Sequence, residues 1–423
     1  MSLPNSFGIL PRVTVFGQSH DAQIGTLIEG LPPGIVLDME QITTLLQRRK
    51  GGDNALTTSR KEADIPQIQT GVKDGITTGR PLKVTFTNRD TRSGDYEQFR
   101  TIPRPSHADY LAILKYGNAH DIAGGGRFSG RLTLPLCFAG AICLQILDSQ
   151  GIAIHACLTE VAGKCDDFET SIIRAREDND SVGGVVEFVA TGLPAGVGQH
   201  PFGGVEPLLS HLLFAIPGAR GVEFGEGFGA ARMRGSEHND PWICKSDGLV
   251  RTATNHAGGI VAGMTTGMPV VGRVAFKPTA SIGLPQKTLN LTTGQTETLV
   301  IKGRHDPCIA LRAIPVVEAT VAIGLLNLIN LDSRKEDEGG GLDGLRHRID
   351  ALDDTISELF YRRMELVEHI RAYKSQTDTP VRDRKREQEI IERLSRNVTD
   401  DDATDLANLY QTIFEISRRR QTR

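Results

Sequence analysis

Glycine is spread through most of this 423-residue chain and then stops. The sequence holds 46 glycines, and after Gly341 only Gly344 remains. Each glycine inside a helix costs about 1 kcal/mol relative to alanine, so the tail is free to be helical where the rest is not. Charged residues thicken at the same place. Between lies Glu336-Asp337-Glu338-Gly339-Gly340-Gly341, an acidic, glycine-rich stretch suited to a flexible linker, with an ordinary surface loop as the plainer alternative. The length exceeds what one hydrophobic core usually supports. We therefore divide the chain into a domain at 1–330, a linker at 331–342 and a domain at 343–423.

The formal net charge of −4, with no long basic run before the C-terminus, gives bulk charge no part in binding nucleic acid. Affinity for anions must come from local clusters. The six cysteines (Cys137, Cys143, Cys157, Cys165, Cys244, Cys308) are scattered and form no CxxC pair. A disulfide framework or a metal site is not expected, and a reducing cytoplasm fits. The N-terminus lacks a charged start followed by an apolar core, so no signal peptide is expected. The longest apolar stretch, Leu132–Leu147, holds Pro135 and Gln145 and falls short of the ~20 residues a membrane span needs. It reads as a buried helix or strand–helix segment, with no membrane involved.

The first domain is rich in Gly, Val, Ile and Thr, with turn signals such as Leu31-Pro32-Pro33-Gly34. Arg12–Phe16, Leu82–Phe86 and Val185–Ala190 suit strands; Met39–Arg49, Val205–Ala215 and Ile314–Leu328 suit helices. The class is α+β, and strand order is not legible. The tail reads as three helices. Leu345, Ile349, Leu352, Ile356, Leu359, Phe360, Val367 and Ile370 recur at helical spacing after Asp343, a fitting N-cap. Nothing breaks this run until about Ser375. A second helix carries Ile390, Ile391 and Leu394, and Thr399 or Asp400 caps a third with Leu406, Leu409, Ile413 and Phe414 facing inward. A first helix of ~30 residues, ~45 Å long, cannot bury its stripe against two shorter ones. A dimer sharing the long helices follows.

Basic residues recur beside glycine in the first domain: Gln18-Ser19-His20; Arg48-Arg49-Lys50-Gly51-Gly52, then Arg60; Arg104-Pro105-Ser106-His107; Gly124-Gly125-Gly126-Arg127-Phe128-Ser129-Gly130-Arg131; Asn255-His256-Ala257-Gly258-Gly259; Lys277-Pro278-Thr279-Ala280-Ser281; and Lys302-Gly303-Arg304-His305-Asp306-Pro307-Cys308. Each alone is more often a loop with solvated charges. Together they suit a multiply anionic, phosphate-bearing ligand, because glycine admits close backbone approach and Arg pairs with phosphate and carboxylate oxygens. Histidine adds proton transfer near neutrality.

The order and wording of FGQSH, PRPSHADY, KYG, GGGR, NHAGGI, KPTAS and KGRHDPC, from Phe7 to about Leu325, resemble chorismate synthases. The resemblance implies a β-α-β layered domain, usually tetrameric. It implies conversion of 5-enolpyruvylshikimate 3-phosphate into chorismate and phosphate by a 1,4-elimination that needs reduced FMN without net redox change. It places His20 and His107 in proton transfer, and Asp306 in taking the proton at the flavin N5 region. Arg48, Arg49, Arg60 and Arg131 would bind the substrate's carboxylates and phosphate. Arg127, Ser129, Lys277, Thr279, Ser281 and Arg304 would hold FMN. The chain departs from the family's usual wording at Asp21, Ala55 and Phe128. Asp21 and Phe128 would sit near flavin or substrate and alter flavin affinity or rate.

In the tail, Arg363 and Lys374 lie 11 residues apart, close to three whole turns, and so share one face. Arg346 lies 17 residues before Arg363, ~25 Å along the axis, out of reach of the same pocket. By themselves these cations read as snorkelling side chains on a bundle. The registers of LRxxID, LDxxIxxL, RRxEL and KxxxxxPVRDxxRE, with Ser417 and Gln421, are similar to the all-helical chorismate mutases. That resemblance implies an intertwined dimer needing no cofactor. Arg346 from the partner and Arg363 would grip carboxylates. Lys374 and Gln421 would bond the ether oxygen. Asp383, Arg386, Glu387 and Ser417 would complete the pocket. The joint expectation is a bifunctional, homo-oligomeric enzyme. The alternative is a synthase whose tail only dimerises or regulates; nucleic-acid binding, from Arg418-Arg419-Arg420, is distant.

Overall fold

The computed structural model describes residues 5–51, 56–57, 62–88, 93–117, 120–244, 248–301, 305–336, 341–377, 380–395 and 399–422. The chain divides into two compact units, Met1–Arg334 and Lys335–Arg423.

The first unit has two larger antiparallel sheets. One runs in the order Ser6–Phe7, Arg12–Phe16, Gln23–Glu29, Leu82–Thr87, Gln67–Thr70. The other runs Ala219–Phe224, Val270–Phe276, Gly184–Thr191, Ala153–Val161. Burial alternates strictly along Val270–Phe276, with Val270, Val274 and Phe276 inward, as period-two side chains require of a strand with one face packed. The helix Thr133–Ser149 touches strands of both sheets. It is apolar on nearly every face and buried on nearly every face, which is what a helix inside the core needs. It packs closely on the helix Ala310–Glu336, where a Cβ added at Gly140 would overlap Ala319. Both sheets and both helices feed one apolar core. Gly130–Ser149 and Ala310–Asp332 are long and apolar enough to cross a bilayer by composition, and they are 61% and 78% buried within this fold.

The helix Met39–Arg49 is started by Asp38, whose carboxylate accepts from Glu40 N and Gln41 N, both at 3.0 Å. It delivers Arg48 and Arg49 at its last turn. The segment read as a linker at 331–342 is largely helical. Residues 331–336 continue the helix Ala310–Glu336, since no Gly or Pro interrupts them, and 341–342 open the next. Residues 337–340 lie outside the described residues.

The second unit consists of the helices Gly341–Thr377, Arg384–Leu394 and Asp400–Gln421. Thr399 caps the last, accepting from Asp402 N. Met364, Val367, Phe414 and Ser417 are buried where the long and last helices meet. Much of the long helix's apolar stripe is uncovered within one chain among the described side chains: Ile349, Ile356, Leu359 and Ile370 are exposed, Ile356 at 59%. Leu409, expected inward, is exposed as well. Two shorter helices cannot cover a 37-residue one.

Candidate functional site

A cavity of about 630 Å³ opens in the first unit. Its wall draws Arg49, Asp64, His107, Arg127, Ser129, Arg131, Ile216–Gly218, Lys277, Thr279, Asp306 and Arg312 from well-separated segments. Of the residues read from the sequence, His107, Arg49, Arg127, Ser129, Arg131, Lys277, Thr279 and Asp306 meet here.

The triplet Gly124-Gly125-Gly126 explains its own composition. All three have positive φ, at 60°, 81° and 53°. A Cβ on Gly124 would lie 2.5 Å from Ser19 Oγ and 2.8 Å from the His20 ring. On Gly125 it would lie 3.4 Å from His107 Cε1 and Nε2. The backbone thus passes between the two imidazoles. His20 stands edge-on to Tyr96, with ring centroids 5.4 Å apart, and does not itself line the cavity.

His107 is held from behind. Its Nδ1–H donates to Asp109 Oδ1 at 2.6 Å, which leaves Nε2 on the glycine side. Arg104 braces Asp109 through Nε and Nη2, both at 2.8 Å. Burial would raise the Asp109 carboxyl, but the Arg104 and His107 hydrogen bonds outweigh it and hold Asp109 well below the usual range. Lys277 Nζ donates to Ser106 O at 2.6 Å, fixing the turn just before His107. Burial, then the nearby Arg220, push this lysine down.

The anion-binding end is built on Asp64. Its carboxylate accepts from Arg49 Nη2 at 2.9 Å and from Arg131 Nη1. Burial alone would raise Asp64, and the two guanidinium groups together keep it low. Arg49, 3% exposed, is itself pushed down by burial and by Arg312. Arg131 Nε donates to Asn88 Oδ1 at 3.0 Å, while its buried Nη2 has no hydrogen-bond partner among the described residues. The same holds for Arg127 Nε, on a guanidinium lying 4.5 Å over the Tyr116 ring. Buried guanidinium nitrogens left open in a cavity are seats for anionic oxygens.

Several expectations meet a different geometry. Arg48 does not line the cavity. It forms a two-pronged pair with Glu318, at 2.7 and 2.9 Å, which raises its pKa. Consecutive helical residues point ~100° apart, so Arg48 and Arg49 cannot face one cavity. Ser281 accepts from Arg104 Nη1 at 3.1 Å and sits behind His107 instead of on the wall. Asp21 closes the turn at Gln18, whose N–H it accepts at 2.7 Å. Phe128 does line the cavity. Arg60, Arg304 and Ala55 lie outside the described residues.

In the helical unit, Arg363 Nη1 donates to Ser417 Oγ at 2.6 Å, and burial lowers Arg363. Gln421, one turn on, donates through Nε2 to Ser417 O, and its buried Oε1 has no hydrogen-bond partner among the described residues. Lys374 Nζ donates to Pro380 O and Val381 O at 2.7 and 2.9 Å. Asp383 is the N-cap of Arg384–Leu394, accepting from Arg386 N at 3.0 Å. The Arg386 side chain is exposed and pairs with Glu389. Glu387 is held by Arg418 and, at 3.4 Å, by Arg382. Arg346 is exposed.

Residues 11–329 match the sequence profile of the family described as chorismate synthase. The chain belongs to the chorismate synthase family. Residues 345–422 match the chorismate mutase type II profile, so this synthase-family chain carries a mutase domain at its C-terminus. The synthase of Chitinophaga pinensis is 51% identical over 330 residues, covering 78% of this chain and 98% of that protein. Those of Korarchaeum cryptofilum and Thermococcus kodakarensis are 42% and 45% identical, over 76% and 74% of this chain and 96% and 94% of theirs. A crystal structure of a chorismate synthase shares the fold, with a TM-score of 0.58 at 24% identity, covering 83% of this chain and 99% of that one.

Within this synthase fold the sequence reading missed Asp64, Asp109 and Arg312. All three are charged residues in loops or at a helix start, where a solvated role is the ordinary reading. The Asp109 signal was present in SHAD, two residues after His107.

Proposed function

We propose that the chain is a bifunctional enzyme. Its first unit eliminates phosphate from 5-enolpyruvylshikimate 3-phosphate, and its second rearranges the resulting chorismate to prephenate. The reading is carried by the convergence of Arg49, Arg127, Arg131, Lys277, His107 and Asp306 on one cavity. Its volume falls within the ~300–1,000 Å³ of ordinary ligand sites.

The open nitrogens of Arg127 and Arg131 and the hydroxyls of Ser129 and Thr279 fit a phosphate-bearing cofactor as well as an anionic substrate. Arg127, Ser129, Lys277 and Thr279 would hold FMN, which supplies transient electron donation when bound and reduced. Arg49 and Arg131 bind substrate carboxylate and phosphate oxygens. The C–O bond to phosphate breaks with its electron pair on phosphate, the existing ring double bond shifts toward that carbon, and the C–H pair forms the second double bond. His107, oriented by Asp109, serves the departing phosphate by proton transfer, with His20 as the second histidine; Asp306 receives the leaving proton.

For the mutase half, Arg363, Ser417 and Gln421 form one side of a pocket, and Arg346 of a second copy supplies the other. The exposed stripe Ile349, Ile356 and Leu359 is covered in that dimer. Catalysis is preorganisation of charge around the breaking ether bond, with no covalent intermediate. The enzyme works in the cytoplasm as a homo-oligomer, tetrameric through the synthase part and paired through the mutase helices.

The deciding experiment supplies the purified chain with the enolpyruvyl phosphate and reduced FMN under anaerobic conditions. Phosphate and prephenate should appear in equal amounts. Chorismate accumulating without prephenate leaves the tail a dimerising or regulatory module. No phosphate release at all sinks the synthase half.

A further inference from the structure

Arg312 was singled out by no motif, and it occupies a junction. It sits in the first turn of the helix Ala310–Glu336 and lines the cavity. Its Nη1 donates to Asp306 Oδ2 at 2.6 Å, and its Nε donates to the backbone carbonyl of Arg49 at 3.0 Å. That carbonyl ends the helix Met39–Arg49, where the last carbonyls lack helical partners and a cation is favoured. One planar guanidinium therefore ties together the acid that receives the proton and the residue that binds the anion.

We propose that Arg312 is a positioning residue for the elimination, fixing the Asp306 carboxylate against the Arg49 end of the site. The assignment rests on the synthase reading above. Among the described residues, Thr279 Oγ1 donates to the Asp306 carbonyl at 2.8 Å, and Arg312 holds the Asp306 carboxylate. The second contact acts on the carboxylate itself and so bears on where its oxygens point. The pair is mostly shielded, at 25% and 13% side-chain exposure, so water competes weakly for the bond. Arginine suits the task because its fork presents two donors in fixed relation, whereas lysine offers one compact charge on a flexible stem. A group that orients another should govern the rate of the proton step. A group that contacts substrate equally in ground and transition states should govern KM.

The test is steady-state phosphate release by the full chain, comparing wild type, Arg312→Lys, Arg312→Gln, Asp306→Asn and the Asp306→Asn/Arg312→Gln double variant. Melting temperatures run in parallel to verify folding. The expected result is a kcat lower by ~10–100-fold in both Arg312 variants, with KM within ~3-fold, in line with losing an interaction felt only in the transition state. The double variant should be within ~3-fold of Asp306→Asn, because residues acting as one unit are not additive. A rise in KM with kcat preserved would make Arg312 a substrate contact and overturn the proposal. Fully additive losses in the double variant overturn it too. If Arg312→Gln does not fold, Arg312→Lys, which keeps the charge, decides through the same split between kcat and KM. Wild-type inactivity sinks the synthase reading and this assignment with it; wild-type turnover with additive losses sinks this assignment alone.

Discussion

His20 and His107 stand on either side of adjacent glycines, with ring atoms 2.8 and 3.4 Å from where Cβ atoms would sit on Gly124 and Gly125. A side chain at Gly124 must therefore displace His20 or Ser19, at a φ of 60° that L-residues rarely adopt. Gly124→Ala is expected to lower phosphate release by ~100-fold, the scale of a small misplacement in a catalytic site. The enzyme should remain folded by circular dichroism. Wild-type rates in this variant would show that the histidine spacing does not matter.

Asp64 lies between two buried guanidinium groups, Arg49 and Arg131, and pairs with both. Removing one partner of a buried ion pair leaves charge uncompensated, at a cost of about 3–5 kcal/mol. Asp64→Ala should therefore lower unfolding free energy by that order in denaturant titration. A loss below about 1 kcal/mol would mean that water reaches these arginines freely.

Two histidines outside the proposed chemistry, His120 and His305, are held below the ordinary histidine range by burial. The unfolded chain takes up protons at such sites near pH ~6.5, while the folded chain resists. Stability from these groups is thus full above that pH and is lost as pH falls below it. The melting temperature should drop between pH 7.5 and 5, and His120→Gln should flatten part of the drop. A wild-type profile that is level across this window contradicts the burial argument.

Arg363 reaches from the long helix to Ser417 on the last, and one turn on the buried side-chain oxygen of Gln421 has no hydrogen-bond partner among the described residues. Arg363→Ala should reduce prephenate formation from added chorismate by ~100-fold, the scale of losing one preorganised charge donor. Phosphate release by the first unit should be unchanged. Equal loss of both activities would point to collapse of the whole chain instead.

The amino-acid sequence by itself determined where the chain changes character and what its elements are. Loss of glycine after Gly344 permits long helices, the apolar, β-branched run Val185–Ala190 is part of a strand, and the mostly apolar run Leu132–Leu147 becomes a core helix. These follow from local periodicity, which every segment carries within itself. The same locality limited the site. Arg48 and Arg49 are neighbours in sequence, and only the rotation of their helix about its axis decided that one meets Glu318 and the other the cavity. Asp64 meets Arg131 across 67 residues, and Arg312 meets Arg49 across 263. No spacing rule encodes such pairs. They exist because separate loops are carried to one place by the packing of two sheets on shared helices, and a charge becomes functional only once burial removes the water that would otherwise satisfy it.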